Sequence, residues 1–285
     1  MSDNQLAYQY GYLTITGEGD ALQLIEHYQL RRAEGWNAGE IAEDRYQFEC
    51  MCIRINLGLL ELDNAEFWWA SLKHLTVTLN TMPATLQRTL HVVTHGANSQ
   101  NAGFYLSREN IRLLARLNTA LHVHGYQDAD DGHDFPYTRV LTPALIPHQA
   151  GEQASFYISS ALYHSEQLQA LINLPSEKQY SKGDIKRYDP VRQQPIYQTI
   201  SRIEIKSGLP ATACIVEHVE ALLNLLESQQ AQLWQMAQDY HIEFGITASG
   251  YMSNPHKRFF PAQTIERLAK LGLILDCDFY FNDSF

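Results

Sequence analysis

The sequence predicts an α+β fold built from two similar β-α-β-α-β-α-β units, each a four-stranded sheet with its helices packed on one face, related by a pseudo-two-fold axis. Three observations predict it. The chain matches itself along most of its length, each matching half alternates strand and helix periods in the same order, and 285 residues suit two domains of ordinary size better than one core.

In each half the first strand, "YLTITG" or "FYISSALY", is followed by a helical stretch, "ALQLIEHYQL" or "SEQLQALINL", with Asp20 as N-cap of the first. A segment with turn character follows, in which Leu30 to Glu40 lies over Leu174 to Asp184. Trp36 meets Tyr180 there, Gly39 meets Gly183, and Glu40 meets Asp184. A long strand comes next, "YQFECMCIRI" or "YQTISRIEI", with Ile53 and Ile55 over Ile203 and Ile205 and apolar residues at every second position. The long helices, "NAEFWWASLKHLTVTLN" and "TACIVEHVEALLNLLESQQAQLWQMAQDY", place apolar residues three and four apart. A short strand, "LHVVTHG" or "HIEFGIT", then a helix from near Ser107 or Ala262, and a closing strand, "ALHVHGY" or "LILDCDFY", complete each half. In that last part Ile111, Leu114, Leu117, Leu121 and Tyr126 lie over Ile265, Leu268, Leu271, Leu275 and Tyr280.

These matches place the first unit at residues 1–127 and the second at 154–285. The Asp-, Pro- and Gly-rich text of residues 128–153 is a linker with enough Val, Leu and Ile to lie against a surface. Composition fits packed cores, with 45% hydrophobic and 19% charged residues, too few charges for a disordered chain. No leader-like start and no run of about 20 apolar residues is visible, so the expectation is a cytoplasmic protein that does not enter a membrane. Cys50, Cys52, Cys214 and Cys277 form no C-x-x-C and read as reduced, mostly buried thiols. A formal charge of −11 repels phosphate backbones, which argues against nucleic acid and favours basic partners.

The "W-x-x-G-[ED]" segment at Trp36, Gly39 and Glu40 and the ending at Leu268, Leu271, Gly272, Leu275, Asp278 and Tyr280 are together similar to the mainly bacterial family called domain of unknown function 4279. The resemblance covers nearly all the chain as two tandem copies, the second closer. The first has Asn118 for the glycine and His124 for the aspartate. The resemblance implies the fold and no reaction.

Chemistry-bearing patterns are few. "TGEGDALQ" has Gly17 and Gly19 before a helix, but Leu22 stands where a dinucleotide fingerprint needs its third glycine, so it reads as a tight turn into a capped helix. "DADDGHD" has the acidity of a calcium loop with the wrong spacing. His122 and His124 alternate in the closing strand of the first half, where the second has Asp276 and Asp278; the four could ligate zinc or iron if the halves faced each other. The simpler reading is polar residues on the uncovered sheet face. His91 and His95 also share one face. Trp68 and Trp69 adjoin Phe67, and three successive aromatics cannot all face one side of a helix.

Neither half shows a recognisable nucleophile with its base. The expected function is therefore a non-enzymatic, acidic, protein-binding module without cofactor, in its narrower form an immunity protein that covers the basic active site of a toxin. Trp36, Glu40, Trp68, Trp69, Tyr180 and Asp184 are the candidate partner-binding residues. The alternative is a metal-dependent enzyme or small-molecule binder using the groove between the halves, with His122, His124, Asp276 and Asp278.

Overall fold

Alternating burial along the strands decides the layering. Leu13 and Ile15 are fully buried while Thr14 between them is half-buried, and Ile53, Ile55 and Leu57 alternate in the same way with Arg54. Each such strand turns one face to an apolar layer and the other to a polar one. A computed structural model describes residues 8–41, 47–60, 65–96, 102–127, 152–189, 192–251 and 259–280.

The first half runs β1 (Tyr8–Gly17), α1 (Ala21–His27), β2 (Ala33–Trp36), β3 (Met51–Leu60), α2 (Ala65–Thr81), β4 (Gln87–Gly96), β5 (Ala102–Leu106), α3 (Arg108–Arg116) and β6 (Thr119–Gln127). The second runs β7 (Gln153–Ser160), α4 (Ser165–Gln169), β8 (Lys178–Tyr180), β9 (Ile185–Tyr188), β10 (Pro195–Tyr197), β11 (Ser201–Lys206), α5 (Ile215–Glu227), α6 (Gln230–Met236), β12 (Glu243–Tyr251), β13 (Phe259–Phe260), α7 (Ala262–Leu271) and β14 (Ile274–Tyr280). The linker, apart from its last two residues, lies outside the described residues, as does the acidic stretch 128–134.

Two six-stranded sheets result, in the orders β13-β6-β4-β1-β3-β2 and β5-β14-β12-β7-β11-β8, with β9 and β10 forming a separate hairpin. The pairs β4–β6 and β12–β14 are parallel, and the other described pairings are antiparallel. The sequence reading expects four strands in each sheet, and each has six. The two additional strands escape it for physical reasons. The outer strands β2 and β8 are only four and three residues long, too short to show a period. The opposite edges are exchanged: β5 of the first half pairs with β14, and β13 of the second pairs with β6. Pairing between distant segments leaves no local pattern in a sequence.

The exchange joins the halves. Helices α3 and α7, which follow the exchanged strands, pack on each other. One apolar cluster runs from Leu13 and Ile53 through Ile111 and Leu114 to Ile265, Leu268 and Phe244. Helix ends are stopped by local chemistry. Asp20 accepts the Gln23 N–H at the start of α1, Ser107 that of Asn110 at the start of α3, and Gly272 ends α7 in the left-handed region at φ 65°. Asn118 takes the same left-handed backbone after α3, at φ 48°, which asparagine tolerates better than other side chains. The second long helix expected from the sequence is broken into α5 and α6 at Ser228 and Gln229.

Candidate functional site

On the sheet face opposite the apolar layer, β4 and β6 bring three histidines together. In this parallel pair His91 stands directly across from His122, and His124 is the next residue on the same face of β6. The His91 Nδ1 and His124 Nε2 atoms are 2.9 Å apart, and one nitrogen from each of the three rings lies within 4.8 Å of the others. Among the described residues this is the one grouping of three or more His, Cys, Asp or Glu side chains with metal-ligand spacing.

Neighbouring side chains hold the rings. Tyr12 stacks on His91 with ring centres 4.5 Å apart and planes 6° from parallel, and Arg54 lies over the Tyr12 ring at 4.4 Å. The Thr14 hydroxyl is 3.0 Å from His91 Nε2 and 3.4 Å from the Thr89 carbonyl. Phe259, from the exchanged strand β13, meets His122 edge to face. Burial, reinforced by His124, His122 and Arg54, pushes the His91 imidazole down to about 2, so this ring stays neutral at any ordinary pH.

Asp276 and Asp278 do not join the histidines. They lie on β14 in the other sheet, where Asp276 stands between Thr247 and Tyr105. Around it Tyr157 donates to Glu243 at 3.1 Å, and Arg202 covers the Tyr157 ring at 4.2 Å and reaches the Thr247 hydroxyl at 3.3 Å. Burial, then repulsion from Asp278, raises the Asp276 carboxyl above the usual carboxylate range, against the opposing pull of Arg202. The four-residue set that the sequence offers as an alternative does not assemble, and His91 rather than the aspartates joins His122 and His124. His91 was legible as a histidine on a strand face, but its register against His122 depends on a crossover pairing. The side chain of His95 lies outside those described.

The candidate partner residues fall in two places. Trp36 stacks on Phe48 at 5.0 Å, and Tyr180 on β8 pairs with Arg202. Behind each is the same kind of turn. Glu40 accepts the Asn37 N–H at 2.9 Å and Asp184 accepts the Ser181 N–H at 2.6 Å, with Gly39 and Gly183 at φ 87° and 93°. In the same turns Asn37 Oδ1 accepts the Ala21 N–H that opens α1, and Ser181 Oγ accepts the Ser165 N–H that opens α4. The two acids therefore close corners that anchor helices. Trp69 is 6% exposed and packs in the core, out of a partner's reach in this conformation. Trp68 lies in α2, and its side chain is outside those described.

Sequence reasoning missed one further contact. Ser207 Oγ is 2.5 Å from Nδ1 of the buried His218, in a groove that Glu152, Glu177 and Lys206 also line. The Glu152 carboxylate accepts the Ile215 N–H at 2.6 Å, and Ser207 Oγ accepts that of Leu209 at 3.4 Å. These bonds tie α5 to the end of β11 through Ser207 and to the start of β7 through Glu152, with the acid and the hydroxyl both committed to backbone donors. Of the cysteines, Cys52 and Cys277 are buried, Cys214 is half-buried and Cys50 is exposed, and none of the four is joined in a disulfide among the described residues. No helix among the described residues is long and apolar enough to cross a membrane.

Residues 148–282, the stretch that contains β7 through β14, match the family model of a domain of unknown function, DUF4279. Neither a curated protein nor a solved structure matches the chain.

Proposed function

We propose that the chain is a tandem pair of one α+β unit and that the pair is a non-enzymatic binding protein for a basic protein partner. Support for the pairing comes from the two sheet orders, which correspond strand for strand once β13 and β5 are exchanged. Further support comes from the matching turns at Glu40 and Asp184, and from the left-handed residues Asn118 and Gly272 after α3 and α7. In its narrower form the reading is an immunity protein that neutralises a toxin by covering its basic active site.

One observation carries the binding reading. Each exchanged edge strand presents an aromatic ring to solvent, Tyr105 at 51% and Phe259 at 42% exposure. Aromatic side chains held on regular structure lose little entropy on docking and supply much of the energy of protein interfaces. The formal charge of −11 adds electrostatic steering toward a basic surface.

The test is recovery of the tagged chain from its native cell, with partners quantified. A basic protein should be retained in near-stoichiometric amount, less of it as salt is raised, and at least tenfold less with the double variant Tyr105→Ala, Phe259→Ala. Recovery without a stoichiometric partner, or of one indifferent to both salt and these rings, would overturn the reading.

A further inference from the structure

The structure assigns His91, His122 and His124 to a site for a borderline divalent metal ion, Zn²⁺ foremost, held by three neutral imidazoles with its remaining coordination positions open to water. This inference does not depend on the binding reading. It rests on convergence, on the orientation of His91 and on the choice of donor atoms.

Convergence comes from the backbone. The parallel register fixes His91 opposite His122, and alternation along β6 adds His124 to the same face. Ring centres are 5.5 Å apart for His91 and His122, 5.2 Å for His91 and His124, and 4.0 Å for His122 and His124. Three nitrogens bound to zinc at about 2.0–2.1 Å in tetrahedral geometry lie about 3.3 Å from one another. The three donor nitrogens already lie within 4.8 Å of one another.

The tautomer of His91 is set by a neighbour. Because the Thr14 hydroxyl has the Thr89 carbonyl as acceptor for its own hydrogen, its oxygen is left to accept from His91 Nε2–H. The Nδ1 lone pair then points into the cluster toward His124 Nε2. Metal-bound histidines commonly have their far nitrogen fixed by such an acceptor, which orients the ring and raises its basicity. Tyr12, stacked on the ring, holds its plane.

Donor chemistry selects the ion. The trio contains no carboxylate, so calcium and magnesium, which require oxygen ligands, are disfavoured. Imidazole nitrogens suit Zn²⁺, Cu²⁺ and Ni²⁺. Three histidines with an open position are the donor set of a metal that retains water.

The experiment uses the untagged full chain, stripped of metal with chelator and titrated with Zn²⁺ by calorimetry, and with Co²⁺ followed by visible absorption. One equivalent of Zn²⁺ should bind with micromolar or tighter affinity, and one equivalent of Co²⁺ should give ligand-field bands that Zn²⁺ abolishes. His122→Ala and His124→Ala should each weaken Zn²⁺ binding by at least tenfold, and Thr14→Val by about tenfold through the freed His91 ring. Circular dichroism checks that the variants fold. Should one fail, protection by zinc of these histidines against diethyl pyrocarbonate in the unaltered chain tests the same three ligands. Binding that is absent, or equal in His122→Ala and His124→Ala to that of the unaltered chain, or histidines modified at the same rate with and without zinc, would overturn the assignment.

Discussion

Asp276 shows how a single side chain can work against the fold that holds it. Half-buried on β14 and close to Asp278, its carboxyl binds a proton more tightly in the folded chain than in the unfolded one. Its contribution to stability is therefore greatest at acid pH and declines as pH rises from the usual carboxylate range through the raised folded value. Asp276→Asn should accordingly stabilise the protein at neutral pH, with the gain vanishing below about pH 4, where the aspartate is itself protonated. Urea midpoints of both proteins between about pH 4 and pH 8 measure this. Equal midpoints at pH 7, or a less stable asparagine variant, would show that the attraction of Arg202 outweighs burial and repulsion. At this scale the sequence was partly legible. Alternation alone places His122 beside His124 and Asp276 beside Asp278, because a strand fixes the faces of its own residues. What joins His91 to the first pair, and keeps the aspartates apart from it, is pairing between strands, which spacing along one strand does not encode. The acids Glu40 and Asp184 were visible as a matched pair, but their use as turn acceptors needs the positive φ of Gly39 and Gly183 to be seen.

Elements are held to one another unequally, and Arg267 on α7 marks a dense polar tie. Its guanidinium bonds Glu227 at 2.7 Å, Asn224 at 2.6 Å and also Glu220, three residues of α5, while Thr264 adds a second bond to Glu220. The Arg267 side chain is only 17% exposed. Charge-assisted hydrogen bonds from a mostly buried guanidinium are worth more than surface pairs, so Arg267→Met should cost about 1–3 kcal/mol, read as a lower urea midpoint at unchanged slope. Lys73→Met, which removes the exposed contact between α2 and Glu109 of α3, should leave the midpoint where it was. The reverse ranking would mean that the α5–α7 tie is balanced by desolvation. Among elements, the long periodic ones were readable from sequence: β1, α2, α3 and α7 fall where hydrophobic spacing puts them, while β3 begins and ends five residues later than the stretch Tyr46 to Ile55 that alternation marks. The missed ones share a cause. β2 and β9 have four residues, β8 and β10 three, β13 two and β5 five, so none carries enough alternation to be told from a loop. The break between α5 and α6 was hidden because apolar residues keep helical spacing across it.

For the whole molecule, the exchange of β5 and β13 determines what each half can do alone. In the full chain β14 is covered by β5, and the α7 residues Ile265 and Leu268 are fully buried, as are Ile111 and Leu114 of α3. Burying each such side chain is worth about 1.5–3 kcal/mol, against a net stability of about 5–15 kcal/mol for a typical domain. The second half on its own, residues 152–285, would expose the edge of β14 and the side of α7 that meets α3, a loss comparable to its entire stability. If the halves are copies of one unit, two molecules of this fragment can repair the loss reciprocally, each lending β13 and α7 as the first half lends β5 and α3. The fragment should then sediment as a dimer while the full chain sediments as a monomer at the same concentration, and charged residues at Ile265 and Leu268 should abolish the fragment dimer. A fragment that remains monomeric, with the thermal midpoint of the full chain, would mean that the second half closes its own edge and that the exchanged strands are not what binds the two halves together.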